Sequence, residues 1–139
     1  GRQVVAAPYV KKAGLEVIAT GYMLIDSGRG TTALYMSNTL PIPADKPQIA
    51  SCTAMAGEML GLQVIYLDGG SGAESPIRGE LIREVRKSVE LPIIVGGGIR
   101  TEEQAIEACN AGADLVVVGT IAERDPDKLA SITRAVHSL

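Results

Sequence analysis

The sequence predicts an α/β protein in which parallel strands alternate with helices. Four short aliphatic runs are almost continuously apolar instead of alternating, which is typical of strands covered on both faces. Helical patterns lie between these runs, and the chain has four tyrosines but no Trp or Phe, so its core has to be aliphatic. Strand–helix units that repeat at steps of roughly 20 to 45 residues indicate right-handed βαβ connections in one parallel sheet.

The predicted strands are rich in β-branched residues. They are LEVIATGYMLI (15–25), LQVIYLD (62–68), LPIIVG (91–96) and DLVVVG (114–119). The segment 28–47, which follows the first strand, contains Pro41, Pro43 and Pro47 and is predicted to be a loop with at most a short edge strand. Its length makes it a candidate lid or binding loop.

Two predicted helices span 46–61 and 75–90. Gly61 is the expected stop of the first, and Ser75 and Pro76 have the order of an N-cap and a first helical residue in the second. The expected buried stripe of the first comprises Ile49, Cys52, Thr53, Met55, Ala56, Met59 and Leu60. That of the second comprises Ile77, Leu81, Ile82, Val85 and Val89.

Two further helices are predicted over 101–112 and 125–139. Thr101 is the expected N-cap of the first, and Gly112 is its expected stop. Asp125 followed by proline repeats the cap pattern in the second. His137, the single histidine, is expected on the surface of this last helix.

Composition excludes several classes of protein. The net charge of −3 comes with scattered Lys and Arg, so the sequence offers no basic patch for nucleic acid. No apolar run approaches the roughly 18 to 20 residues that span a bilayer, and no secretory signal pattern opens the chain. Cys52 and Cys109 lack metal or redox spacing and are expected to be small buried core residues, which favours a cytoplasmic location.

Glycine-rich segments follow three successive strands. They are DGGSGA after the second strand, GGGIR in the third and VGT after the fourth. Ligands of parallel α/β folds meet the carboxyl ends of the strands, where backbone amides and helix N-termini can bind an anion. Gly97 and Gly98, together with Gly119 and Thr120, are therefore predicted to hold a phosphate group. The alternative is a tight turn packed against a neighbouring helix. GGSGA lacks the third glycine of a dinucleotide fingerprint, and VGGGIR lacks the Lys-Ser/Thr of an ATPase P-loop.

Asp68 directly closes an apolar strand and is a candidate general base for a hydroxyl group. The alternative is that its side chain caps the loop that follows. Tyr66 lies two residues earlier, hence on the same face of the strand, and either points into the site or is an ordinary interior tyrosine. The same two interpretations apply to Tyr22 in the first strand.

The segments IYLDGGSGAESP, PIIVGGGIRTEEQA and AGADLVVVGTIAE resemble the geranylgeranylglyceryl phosphate synthase family, the phosphoglycerol prenyltransferases. TGYMLI and YMSNTLPIPADKPQIA extend the resemblance over nearly the whole chain from about residue 8. The family implies a TIM barrel that joins sn-glycerol 1-phosphate to a prenyl diphosphate, with Mg²⁺ on the diphosphate and release of pyrophosphate.

The resemblance also assigns residues. Asp68, where many members have Glu, would deprotonate the attacking hydroxyl, with Tyr66 and Tyr22 beside it. Glycerol phosphate would contact a set of residues from three strand ends: Tyr66, Leu67, Asp68, Gly69, Gly70, Ser71, Gly72, Gly97, Gly98, Gly119 and Thr120.

A complete (β/α)₈ barrel needs roughly 200 or more residues, and this chain has 139. By resemblance, residues 1–139 are the C-terminal half of one barrel domain, with strands five to eight, and the Mg²⁺ ligands lie in the other half. Open sheet edges and an open inner face would then require the N-terminal half or a second copy as partner. The full enzyme is expected to be a homo-oligomer that hands an apolar product to the membrane surface.

Two other functions remain open at this stage. One is another phosphate-binding barrel, an isomerase or an aldolase, although no predicted strand ends in the Lys that a Schiff-base aldolase needs. The other is a non-catalytic half-barrel that binds phosphate compounds as a homodimer.

Overall fold

The computed structural model describes residues 2–28 and 30–139. The strands are β1 (Thr20–Leu24), β2 (Val64–Asp68), β3 (Ile93–Gly96) and β4 (Leu115–Val117). The helices are α1 (Arg2–Lys12), α2 (Thr32–Ser37), α3 (Pro47–Met59), α4 (Gly79–Arg86), α5 (Glu102–Asn110), α6 (Thr120–Arg124) and α7 (Pro126–His137). The four strands form one sheet in the order β1-β2-β3-β4, and each neighbouring pair is parallel. The predicted fold class is thereby confirmed.

The core lies on the outer face of this sheet. Alternate residues of the two central strands, Ile65, Leu67, Ile93 and Val95, are fully buried there together with apolar residues of the surrounding helices. Each such side chain removed from water stabilises the fold by about 1.5–3 kcal/mol. The aliphatic core that the composition predicts is the one observed.

The inner face of the sheet remains open in the part of the chain that the structure describes. Tyr22, Leu115 and Val117 keep 49%, 56% and 42% of their surface accessible. The expectation that the strands are covered on both faces is therefore wrong for this chain, because helices pack against one face only. The result is a half-barrel, as the resemblance implies.

Helix boundaries that depend on local capping agree with the sequence. The Thr101 side chain accepts a hydrogen bond from the Gln104 amide, and the Asp125 side chain accepts one from the Lys128 amide. Gly61 and Gly112 follow the ends of α3 and α5 with positive φ values of 79° and 112°. These positive angles favour glycine, which explains why the helices end there.

The predicted start of α4 is wrong. Ser75 and Pro76 do not cap it: the helix begins at Gly79, with Arg78 at its N-cap. A β-carbon on Gly98 would clash with the Ser75 carbonyl group, so this segment is packed against the next loop instead of coiling into the helix. The stripe of α4 is nevertheless as predicted, since Leu81, Ile82 and Val85 are buried.

The buried face of α3 also differs from the prediction. Ala50 and Ala54 are fully buried, whereas Ile49, Met59 and Leu60 are 48%, 86% and 82% exposed. The helix packs through small residues against α4 and β1, because small side chains allow the backbones a close approach. Ile49, Met59 and Leu60 of the predicted stripe therefore face outward, whereas Met55 is partly buried and packs against the core.

Four smaller differences concern segments and cysteines. The predicted loop 28–47 contains α2, whose N-cap is Thr31, and its described residues include a parallel bridge from Ile42 to Ile25. The sequence did not predict the terminal helix α1 or the short helix α6. β1 and β4 are shorter than expected. Cys52 is exposed and Cys109 is half-buried, so the prediction of two buried core cysteines is wrong.

Candidate phosphate site

A cavity of about 190 Å³ opens at the carboxyl edge of the sheet, between the ends of β2, β3 and β4. Its lining consists of Tyr66, Asp68, Gly70, Ser71, Gly72, Gly97, Gly98, Ile99, Arg100, Val117, Gly119 and Thr120. This volume is below the roughly 300–1,000 Å³ of pockets for drug-sized ligands, so it suits a small polar compound.

The glycines of β3 and of the loop after it are needed for close packing. A β-carbon on Gly97, whose φ is 89°, would lie 2.8 Å from the backbone of Gly69 and Gly70. A β-carbon on Gly96 would lie 2.6 Å from the Tyr66 hydroxyl. The glycine triplet therefore packs against loop backbone and strand side chains, and not against a neighbouring helix as the tight-turn interpretation requires. The same packing brings two loops into one cavity wall.

Loop amides supply free donors to this cavity, whereas the N-terminus of α5 does not. The amides of Arg100 and Thr101 donate to the Gln104 side chain in the capping box of α5, so they are already satisfied. Within residues 2–28 and 30–139, the amides of Gly72 and Gly98 have no protein acceptor. An anion in the cavity would meet such loop amides, which are a recognised anion-binding arrangement.

Asp68 has both carboxylate oxygens in defined contacts. Its Oδ1 accepts a hydrogen bond of 2.8 Å from the Gly70 amide, which is the loop cap considered as one interpretation of this residue. Its Oδ2 accepts a hydrogen bond from the Tyr22 hydroxyl on the neighbouring strand. A carboxylate has about four lone-pair sites, so these two bonds leave capacity for a ligand proton.

Two tyrosines flank this carboxylate on the inner face of the sheet. Tyr22 lies opposite Tyr66 in the register of β1 and β2, and the rings meet edge to face with centroids 5.4 Å apart. Burial raises the pKa of the Tyr22 phenol above its usual range, with further contributions from the hydrogen bond and charge of Asp68. Burial, followed by the charge of Asp68, also raises the pKa of Tyr66. Both phenols therefore remain protonated donors at neutral pH.

Most residues of the predicted site line the cavity, and three do not. Leu67 is fully buried on the outer face of the sheet, because neighbouring strand residues alternate between faces. Gly69 lines an adjacent cavity near Glu74 and Asp45. Tyr22 reaches the site through Asp68 and is not part of the cavity wall.

Three lining residues, Ile99, Arg100 and Val117, were not among the predicted site residues, and Arg100 is the charged one. Its guanidinium group donates to the carbonyl oxygens of Ala73, Glu74 and Gly98. The only available signal was its position at the end of GGGIR, directly before a helix cap.

No group of three or more His, Cys, Asp or Glu side chains in ranges 2–28 and 30–139 is arranged to hold a metal ion. The same ranges contain no helix that is long and apolar enough to cross a bilayer.

Parallel βα units with glycine-rich loops at their carboxyl edge define the chain as half of a TIM barrel, the fold whose ligand sites lie at that edge. More particularly, the chain belongs to the PcrB family, whose profile matches residues 1–136.

Named relatives agree with this assignment. The chain is 57% identical over 137 residues to a geranylgeranylglyceryl phosphate synthase from Spirosoma linguale, which covers 99% of this chain and 55% of the relative. Its identity to the synthase of Korarchaeum cryptofilum is 44% over 137 residues, covering 99% of this chain and 56% of the relative. The chain thus spans about half the length of these relatives, and the resemblance inferred from the sequence is confirmed.

A solved structure agrees as well. The (S)-3-O-geranylgeranylglyceryl phosphate synthase of Thermoplasma acidophilum, in complex with its substrate sn-glycerol-1-phosphate, superimposes with a TM-score of 0.93 at 33% identity. The match covers 100% of this chain and 57% of that one.

Proposed function

We propose that residues 1–139 form the C-terminal half, strands five to eight, of a prenyltransferase that joins sn-glycerol 1-phosphate to a prenyl diphosphate of the geranylgeranyl type. This half supplies the glycerol phosphate site. The observation that carries the proposal is the single cavity in which loops of three neighbouring strands meet beside Asp68. The relative from Thermoplasma acidophilum, which binds sn-glycerol-1-phosphate, supports the choice of ligand.

The phosphate group would lie against the glycine loops. Free amides of Gly72 and Gly98 offer donors from two of the loops, and Gly119 and Thr120 line the same cavity from the third. The Arg100 side chain adds positive charge to the wall. A phosphorylated three-carbon compound fits a cavity of about 190 Å³, whereas a dinucleotide does not.

Asp68 would act as the general base. As the glycerol oxygen attacks C1 of the prenyl chain, its proton passes to the carboxylate, the new carbon–oxygen bond forms and the bond from C1 to the diphosphate oxygen breaks. Tyr22 and the Gly70 amide hold the carboxylate in place, so it needs little reorganisation at the moment of proton transfer. Pyrophosphate leaves with the bonding electrons.

The allylic diphosphate and Mg²⁺ are assigned to residues outside this chain. Residues 2–28 and 30–139 contain no group of three or more His, Cys, Asp or Glu side chains that could hold a metal ion. The open inner face, with Tyr22, Leu115 and Val117 exposed, would be covered by the N-terminal half of the barrel or by a second copy. A homo-oligomer in the cytoplasm, with its apolar product delivered to membrane lipid, completes the proposal.

The test combines binding with reconstitution. The chain is titrated with sn-glycerol 1-phosphate and, separately, with its enantiomer, alone and after co-expression with the N-terminal part of the Spirosoma linguale relative. The proposal predicts preference for sn-glycerol 1-phosphate and, in the reconstituted protein with geranylgeranyl diphosphate and Mg²⁺, ether formation. Equal or absent binding of the two enantiomers would refute it.

The variant Asp68→Asn separates binding from chemistry. It should abolish turnover in the reconstituted protein, while the affinity for glycerol phosphate stays within about tenfold, because the backbone amides that hold the anion are untouched. Full activity of this variant would show that another group is the base. A stable homodimer of the chain that is inactive with both substrates would instead favour a non-catalytic phosphate-binding half-barrel.

A further inference from the structure

Arg100 connects two of the loops that line the cavity. Its Nη1 donates to the Glu74 carbonyl at 2.9 Å and to the Gly98 carbonyl at 3.3 Å, and its Nη2 donates to the Ala73 carbonyl. Ala73 and Glu74 belong to the loop after β2, whereas Gly98 belongs to the loop after β3. A single side chain thus links the two loops, in addition to the close packing of Gly97 against Gly69 and Gly70.

These carbonyl groups matter for an anion. A carbonyl oxygen carries partial negative charge and would repel a phosphate. In a phosphate site made of backbone loops, the nearby carbonyl groups therefore have to accept hydrogen bonds from donors of the protein. Arg100 binds three of them through its planar fork of N–H groups, a geometry that a Lys ammonium does not reproduce.

In the part of the chain that the structure describes, no ion pair neutralises the charge of Arg100. No carboxylate of the described ranges 2–28 and 30–139 forms an ion pair with it, whereas Arg86 pairs with Asp114 at 3.2 Å. Because the partners of Arg100 are neutral carbonyls, its positive charge remains available to a dianion in the cavity that it lines.

We infer that Arg100 is a positioning residue of the glycerol phosphate site. It links the loop after β2 to the loop after β3, holds the two loops in the arrangement that binds the anion, and gives the cavity wall a positive charge. This inference rests on the proposed function for the identity of the ligand. The tie itself concerns the free protein, so it can be tested without a ligand.

Arg86 provides a matched control at the opposite edge of the sheet. Its guanidinium group also binds a backbone carbonyl, that of Val89, and it contacts Asp114, which hydrogen-bonds the Ile93 amide where β3 begins. Each substitution at Arg100 therefore has a matched control at Arg86. The two pairs are Arg100→Gln with Arg86→Gln, and Arg100→Lys with Arg86→Lys. All four variants are measured at a temperature where circular dichroism shows them folded.

The first measurement is amide hydrogen exchange in the ligand-free chain. Arg100→Gln is expected to speed exchange about tenfold or more in both 69–78 and 97–100, since charge-assisted hydrogen bonds join these loops. Arg86→Gln is expected to change exchange near 89–93 and 112–115 instead. Unchanged exchange in the two cavity loops of Arg100→Gln would overturn the inference, whatever the ligand.

The second measurement is equilibrium binding of sn-glycerol 1-phosphate. We expect a loss of about 10- to 100-fold in Arg100→Gln, a smaller loss in Arg100→Lys, which keeps the charge, and less than about twofold in either Arg86 variant. Equal weakening by Arg100→Gln and Arg86→Gln would overturn the positioning role, because a general loss of stability would then explain both. A wild-type chain that binds neither enantiomer would instead refute the proposed function, and the exchange data would still decide whether the tie exists.

Discussion

The backbone contact between Gly97 and the loop after β2 gives a quantitative test of how the cavity is built. Gly97 and Gly72 line the same cavity and have similar positive φ angles, 89° and 80°. A β-carbon on Gly97 would lie 2.8 Å from the backbone of Gly69 and Gly70, whereas a β-carbon on Gly72 would meet nothing within 4 Å. The variants Gly97→Ala and Gly72→Ala therefore share the cost of placing alanine at a positive φ angle. Only Gly97→Ala adds a steric clash with backbone.

The shared cost is the left-handed conformation, about 1–2 kcal/mol for a residue with a β-carbon. Alanine offsets about 0.4–1 kcal/mol of it by restricting the unfolded chain. Gly72→Ala should thus lower the free energy of unfolding by about 0–1.5 kcal/mol. Gly97→Ala adds the overpacking against backbone, about 1–3 kcal/mol, because backbone cannot swing away as a side chain can.

Urea denaturation followed by circular dichroism measures the difference. With a slope of about 1.5 kcal/mol per M, a further loss of about 2 kcal/mol moves the midpoint of Gly97→Ala about 1.3 M below that of Gly72→Ala. Phosphate binding should weaken in Gly97→Ala as well, since the loops are pushed apart. Coincident midpoints of the two variants would refute the close approach as the reason for glycine at this position.

Two further predictions concern the phenols and the thiols. The folded chain disfavours the Tyr22 phenolate, so the free energy of unfolding that the neutral phenol contributes is fully present below a pH of about 10 and is lost as the pH rises further. Tyr22→Phe should therefore make the fall of the urea midpoint between about pH 10 and 12 shallower. Identical slopes in the wild type and the variant would contradict this. Cys52 is exposed, whereas Cys109 is half-buried and burial raises its pKa, so a thiol reagent should label one cysteine quickly and the other slowly. Cys52→Ser should remove the fast phase, and loss of the slow phase in that variant would reverse the assignment.

The features that the sequence predicts best are those set by local interactions. The cap at Thr101 forms because its own side chain and that of Gln104 satisfy the first amides of α5, with no help from elsewhere in the chain. Strand positions and the alignment of Tyr66 with Asp68 follow from the period of two along a strand. The three glycine-rich strand ends meet because parallel strands present their carboxyl ends at one edge.

The features that the sequence does not predict depend on contacts between distant segments. Ser75 and Pro76 have a helix-start pattern, yet the helix begins only at Gly79. The reason is that Ser75 packs against Gly98, while Arg100 binds the carbonyl groups of the two residues before Ser75. In α3, both the large apolar residues and the small residues recur with helical spacing, so periodicity alone does not tell which stripe is buried. The stripe of small residues that includes Ala50 is the buried one, because it lets the helix backbone come close to its neighbours. The role of Arg100 was invisible because its partners are carbonyl groups, which every residue has.

The measurement that tests the central claim most directly is a titration of the ¹⁵N-labelled chain with sn-glycerol 1-phosphate, followed by amide chemical shifts. The claim is that loops from three neighbouring strands hold one phosphate group. It predicts that the amides of Gly72, Gly98 and Thr120 shift together along a single binding curve, while amides at the opposite edge, such as that of Ile93, stay in place. Shifts confined to one loop, or separate curves for different loops, would contradict it.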